Sequence, residues 1–404
     1  MDLTSALDWL YSTQLFGIKL GLEGTVKLLS AVDVFPSQGG QVVHVAGTNG
    51  KGSTCAMIES LAREAGYKTG LFTSPHLVDF SERIRVNGQM IPEGDLLRIL
   101  ARVKETVQAW EPHPTFFELT LAIALCYFKE QGVNFLILET GLGGRLDATN
   151  ALPKDIAVLA PIGMDHQQYL GDTLAKIAGE KAGIIAMGKP VVSARQEPEA
   201  LAVIEQMAHE KASPLVIVAD DYAPQPSLAG RHQRENAALA LLTMRTLGVS
   251  LSVFQIAQAL SRIVWRGRFE LLDDGMMVLD GAHNPHAAKV LVATWRDLFA
   301  KEKAIIVFAA SADKNIKGVI DLIAPLASEW HLVPCSSPRI LPVNEMSALI
   351  ASSSDAPIFC HETLEDGLAS AKQSGQRVLV TGSLFLLGDV LSSLNKVAHR
   401  QTMQ

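Results

Sequence analysis

The chemistry in this sequence begins at Gly47-Thr48-Asn49-Gly50-Lys51-Gly52-Ser53-Thr54. An apolar, β-branched run (42–46) leads into it, and a helical pattern runs from Cys55 to about Gly66. Strand, glycine-rich turn and helix in that order form the setting of a phosphate-binding loop. Gly47, Gly50 and Gly52 let backbone N–H groups turn inward with no Cβ in the way. The helix N-terminus adds donors for an anion. Lys51 would reach the β- and γ-phosphates, and Ser53 or Thr54 could ligate Mg²⁺. The spacing departs from the usual nucleotide loop: two residues separate Gly47 from Gly50, and Gly52 stands between Lys51 and Ser53. The competing reading is a plain glycine turn, but a lysine at the helix mouth favours nucleotide.

Other polar groups fall where strands should end, the edge at which parallel sheets present their functional groups. Ser74 follows the run 69–72, Glu139 ends 135–139, and Asp165 and His166 follow 156–160. A hydroxyl, a carboxylate and an imidazole are plausible Mg²⁺ ligands beside a phosphate loop, although magnesium prefers oxygen. Glu139 could equally cap the next helix, and His166 could be a hydrogen-bonded loop histidine. Lys181 reads locally as a solvated lysine on a helix. Farther on, Asp280-Gly281-Ala282-His283-Asn284-Pro285 ends another strand and starts a helix, with Asn284 fitted to its N-cap. Asp280 and His283 would face a gap between two α/β domains, a favoured place for a small-molecule site.

The elements that must position these groups alternate. Strands are expected at 42–46, 69–72, 133–139, 156–160 and 190–193. Helices are expected at 3–12, 24–33, 52–65, 93–110, 116–130, 173–186 and 197–209, with a loop between 74 and 88. Short strands and turns over 213–226 and helices 233–247 and 252–262 close the first unit. The alternation restarts with strands 276–280, 304–308, 329–333, 358–360 and 377–381 and helices between them. This predicts an α/β fold: a phosphate-loop domain with a doubly wound, mostly parallel sheet (1–263), then a smaller Rossmann-like α/β domain (264–404).

Composition agrees. A chain of 404 residues suggests two domains, and 48% apolar content supplies their cores. A net charge of −7 without a basic stripe argues against nucleic acid. Cys55, Cys126, Cys335 and Cys360 have neither disulfide nor zinc spacing, as in a reducing compartment. No signal peptide or bilayer-length apolar stretch is evident, so a cytoplasmic protein acting on small molecules, away from membranes and as a monomer, is expected.

Taken together the motifs resemble the Mur ligase superfamily, and most of all its folate branch, the folylpolyglutamate synthases and bifunctional dihydrofolate synthases. The matching stretches are GTNGKGS (47–53), TSPHL (73–77), ETGLGGRLD (139–147), GMDHQQYLGDT (163–173), EKAGI (180–184), HQREN (232–236), GRF (267–269), DGAHNPH (280–286) and TGSLFLLG (381–388). They run the length of the chain in the family's order. The resemblance implies a ligase that joins L-glutamate to the carboxylate of dihydropteroate or of a reduced folate, splitting ATP to ADP and phosphate. It implies ATP held by 47–53 with Asn236, Arg268 and Asp280, and His283 near the transferred phosphoryl group. It implies two Mg²⁺ ions on Ser74, Glu139, His166 and Lys181, the lysine carbamylated. It places the pterin against Leu20, Gly21, Leu22, Glu23, Thr115, Phe116, Phe117, Glu118, Arg145, Leu146 and Asp147, and the ligated carboxylate and incoming glutamate near Arg83, His283 and Ser311. Two departures stand out. No arginine follows Gly21-Leu22, where the family often has one, and the segment 308–315 keeps Asp313-Lys314 but not its usual flanks.

Of all these residues Lys51 has the most direct expected role. Lys51→Ala should lower ADP formation at least about 100-fold, the usual cost of one donor aimed at developing charge, with an unchanged circular dichroism spectrum.

Overall fold

The computed structural model describes residues 2–17, 21–34 and 40–395. Eight strands form the first sheet: β1 Gln41–Ala46, β2 Thr69–Phe72, β3 Ile84–Val86, β4 Gln89–Met90, β5 Phe135–Glu139, β6 Ile156–Leu159, β7 Val191–Ser193 and β8 Leu215–Ile217. Their order is β4-β3-β2-β5-β1-β6-β7-β8. The six strands from β2 to β8 in that order are parallel, and β3 and β4 are an antiparallel edge.

Burial on both faces explains the apolar runs. Val43, Val45, Phe135 and Ile137 pack on one side with helices Lys51–Glu64, His232–Thr246 and Val253–Ser261. Their alternates Val42, Leu136 and Leu138 pack on the other with Leu3–Ser12, Glu93–Val107 and Phe116–Glu130. A strand covered on two sides has no polar face to alternate with.

The second sheet contains β9 Glu270–Leu272, β10 Met277–Asp280, β11 Ala304–Phe308, β12 Ala327–Leu332, β13 Ile358–Cys360 and β14 Val378–Thr381, ordered β13-β12-β11-β14-β10-β9. All pairs are parallel except β9 with β10. Its core is built around Trp295, Trp330 and Phe308, all fully buried. Leu77, from the loop after β2, is buried in this second core.

The expected architecture is present, with local corrections. The segment 74–88 is not only a loop, since it holds the capped turn Phe80–Arg83 and strand β3. The antiparallel edges β3, β4 and β9 are two or three residues long, too short for a hydrophobic period to register. The helix expected over 173–186 stops at Ala182, and a short helix Gln167–Leu170 precedes it.

Leu77 is the apolar peg between the two units. Leu77→Ala should cost about 2–3 kcal/mol, read as a lower guanidinium midpoint for the second domain.

Candidate active site

Sheet order brings the chemistry together. β1 lies between β5 and β6, and β2 lies beside β5. The phosphate loop after β1 is therefore flanked by Glu139 at the end of β5, with Val45 opposite Glu139 in register, and by the 160–166 segment after β6. Ser74, after β2, donates its N–H to Glu139 Oε2 at 3.2 Å.

The loop is shaped for bare backbone. A Cβ at Gly47 would come within 2.8 Å of Ala160 Cβ, one at Gly50 (φ +82°) within 2.7 Å of Asn236 Oδ1, and one at Gly52 within 2.8 Å of Trp265 Nε1. Thr48 and Asn49 are spent on bracing: their N–H groups donate to Pro161 O at 2.9 and 3.2 Å, and Thr48 Oγ1 donates to Gly163 O at 2.9 Å. The N–H groups of Lys51, Gly52 and Ser53 open the helix Lys51–Glu64 and have no intrahelical acceptor. These residues fit a phosphate chain.

Three charged side chains lie around this loop. Lys51 Nζ is 3.3 Å from Thr48 O and 4.0 Å from Glu139 Oε1. Burial raises the pKa of Glu139, with Lys51 opposing the rise. Lys181, read locally as solvated, is buried and donates to Gly47 O at 2.8 Å. Burial first, and the neighbouring Lys51 second, lower its pKa from 10.5 to about 7. A neutral amine at that pH is the form able to take up CO₂. Among the described residues no group of three or more His, Cys, Asp or Glu side chains is arranged to hold a metal ion by itself. Glu139, His166 and Ser74 are side chains near the loop that could serve a divalent ion, with nucleotide oxygens and water completing a set that suits magnesium.

The junction with the second domain is polar. Asn49 and Asn284 exchange hydrogen bonds at 3.2 Å, and Asn49 Nδ2 lies 2.7 Å from His286 Nδ1. Asn284 also caps its own helix through Ala287 N and donates to Asp165 Oδ2 at 3.1 Å. Asp165 accepts from Lys314 Nζ at 2.7 Å and lies 3.7 Å from His283 Nε2. His283 Nδ1 sits 2.8 Å from Gly281 O, which assigns the proton to that nitrogen. Asp280 is engaged by the N–H groups of Phe269 and Ala282, both at 2.9 Å, and burial raises its pKa. Arg268 lies against Gly281, where a Cβ would be 2.8 Å from its Nη1. Asn236 is buried, held by Gln233 at 3.0 Å.

The residues expected around a pterin are mixed in role. Thr115 and Glu118 form a buried capping box, and Glu118 also accepts from Thr25 at 2.9 Å. Phe116 is buried under Tyr11, while Phe117 stays half-exposed beside Gly141. Asp147 organises its own loop by accepting from Gly141 and Leu142 N–H. Arg145 is exposed and paired with Glu180, and Leu146 is half-buried. Gly21 (φ +131°), Leu22 and Glu23 start the helix Glu23–Ala31; Leu20 lies outside the described residues. Arg83 is fully buried, donates Nε–H to His76 Nδ1 at 2.8 Å, and lies 5.3 Å over Phe116; burial lowers its pKa to about 10. Ser311 is buried and bridges to Ile340.

The structure adds groups not selected from the sequence. His76 and Tyr11 support Arg83, with Tyr11 Oη 3.5 Å from His76 Nε2. Lys314 reaches across to Asp165 and His166. The retained Asp313-Lys314 pair was the available signal for Lys314, and the TSPHL stretch for His76. Nothing in sequence marks Tyr11.

Two mostly parallel sheets, with Asn, Asp and His contacts joining the second to the phosphate loop of the first, fit a nucleotide-dependent ligase of the Mur type. Residues 45–219 match the Mur ligase middle domain and 267–384 the Mur ligase glutamate ligase domain. The dihydrofolate synthase/folylpolyglutamate synthase of Bacillus subtilis is 36% identical over 96% of this chain and 98% of its own. The Escherichia coli protein of the same name is 32% identical over 97% and 96%. The structure of E. coli FolC in complex with DHPP and ADP superposes with a TM-score of 0.89 over 98% of both chains, at 31% identity. The Yersinia pestis bifunctional enzyme complexed with AMPPNP and Mn ion gives a TM-score of 0.85, also over 98% of both chains, at 28% identity. The chain belongs to the folylpolyglutamate synthase/dihydrofolate synthase family.

Burial of Lys181 has a thermodynamic sign. Its folded pKa lies below its unfolded value, so between about pH 7 and 10 the unfolded chain binds a proton that the native chain does not. Stability from this group therefore rises with pH across that window and is flat below it. Lys181→Met should stabilise the ligand-free chain by roughly 2–4 kcal/mol at pH 7 and remove that slope, as measured by melting at pH 7 and pH 9.

Proposed function

We propose that this chain ligates L-glutamate to the carboxylate of dihydropteroate and to the γ-carboxylate of a reduced folate, with ATP converted to ADP and phosphate. The observation that carries the reading is the junction: Asn49 of the phosphate loop hydrogen-bonds Asn284 and lies against His286 of the second domain, so a nucleotide in the loop faces the Asp280–His283 turn. In this reading residues 1–263 bind nucleotide and acceptor, and 264–404 complete the site as the glutamate ligase domain. The substrates are small molecules and the enzyme works as a cytoplasmic monomer.

A carboxylate and an amine do not condense in neutral water because oxide is too poor a leaving group. An acceptor carboxylate oxygen attacks the γ-phosphorus, the bond to ADP breaks, and an acyl phosphate results. The glutamate amine then attacks the acyl carbon, phosphate departs and the nitrogen loses a proton. The chain's task is to position and neutralise. The N–H groups of Lys51, Gly52 and Ser53 and the Lys51 ammonium hold the phosphates. Arg83, fixed by His76, pairs with the acceptor carboxylate, and Phe117 offers a face to the pterin. Asn236, Arg268 and Asp280 hold the nucleoside side, and His283 lies by the transferring group. Ser74, Glu139, His166 and Lys181 as a carbamate are the residues that would hold two Mg²⁺ ions. Bound there, the ions supply charge neutralisation of the phosphates. Closure of the two domains over the site keeps water from the acyl phosphate.

Purified chain with ATP, Mg²⁺ and glutamate should release ADP on addition of dihydropteroate, and separately of tetrahydrofolate. No ADP with either acceptor sinks the reading; release with one alone narrows it to a single activity. The carbamate has its own test. ¹³C-bicarbonate should give a carbamate resonance in wild type that is missing in Lys181→Met, and its absence from wild type removes Lys181 from the metal set.

A further inference from the structure

Lys314 is a cation that the second domain inserts beside His166, among the expected metal-side groups of the first. Its Nζ lies 2.7 Å from Asp165 Oδ1 and 3.1 Å from His166 Nε2, and its side chain is only 10% exposed. This placement is built from behind. Asp313 pairs with Arg339 at 2.7 Å, Ala312 N–H donates to Arg339 O at 2.8 Å, Ser311 bridges to Ile340, and Lys314 N–H donates to Ser311 O at 3.1 Å. Asn315 then caps the helix Ile316–Ile323.

An ammonium has three donors and no acceptor, so the contact with His166 runs in one direction: Nζ–H donates to the Nε2 lone pair. A neutral imidazole nitrogen has a single lone pair in the ring plane, and a metal bound at Nε2 uses that same pair. Both cannot have it at once. We propose that Lys314 is a resident cation for the Asp165–His166 pair, which a divalent ion must displace from His166, so that metal loading breaks a bond between the two domains. The inference rests on the reading of His166 as a metal ligand. Asp165 also accepts from Asn284 and from the backbone N–H of His166, at 3.1 and 2.8 Å, bonds that do not involve Lys314. The carboxylate therefore stays fixed while the ammonium moves.

Electron paramagnetic titration of the full chain with Mn²⁺, at saturating ADP, tests this without turnover. Lys314→Met should bind Mn²⁺ about tenfold more tightly than wild type, by losing both the competing donor and a like charge. Lys314→Arg, which keeps charge and donors, should stay within about twofold of wild type. His166→Ala should bind several-fold more weakly. Unchanged or weaker binding by folded Lys314→Met overturns the inference alone, provided His166→Ala is weakened; Lys314→Ala repeats the test if the methionine variant misfolds. Unchanged binding by His166→Ala instead removes the metal reading beneath it.

Discussion

Everything in the site depends on one steric constraint: neighbouring groups press so closely on the turn after β1 that no side chain fits at three of its positions. Ala160, Asn236 and Trp265 come within 2.8, 2.7 and 2.8 Å of where a Cβ would stand at Gly47, Gly50 and Gly52, too close for one. These three neighbours come from different places: the strand-end after β6, the helix His232–Thr246 and the link into the second domain. The turn is thus defined by the tertiary fold rather than by its own sequence. Its glycines are needed both for what they bind and for what presses on them.

A second theme is charge held out of water. Lys181, Glu139 and Arg83 are buried and Asp280 is half-buried, and for each desolvation is the largest influence on its proton affinity. Such groups are costly without partners. Here they are met only in part: Lys181 by a carbonyl, Glu139 by one N–H and a lysine at 4.0 Å. A site arranged this way is incomplete without ligands that carry the opposite charge, and phosphates with a divalent ion are such ligands.

Much of this was legible in sequence, for physical reasons that differ by element. The parallel strands announced themselves as short apolar runs because both faces are covered, as Val42/Val43 and Leu136/Ile137 show. The phosphate loop was legible because its conformation leaves glycine little alternative. Lys181 was legible only through the family motif: taken locally, on a helix, it resembles any surface lysine, and its bond to Gly47 O appears only in the fold. Thr115 and Glu118 show the reverse case. A substrate role was expected by resemblance, while their side chains are engaged in capping a helix. Tyr11 and Lys314 act across 65 and 149 residues of sequence separation, distances at which no local pattern carries information.

The burial of Leu77 in the second core reaches further than stability. The residue before it is His76, which orients Arg83, and three residues before it is Ser74, beside Glu139. The segment 74–77 is therefore mechanically geared to the C-terminal unit although it belongs to the first sheet by sequence. A swing of that unit would tug Arg83 and the strand-end serine in one stroke, through a leucine held in a neighbour's interior.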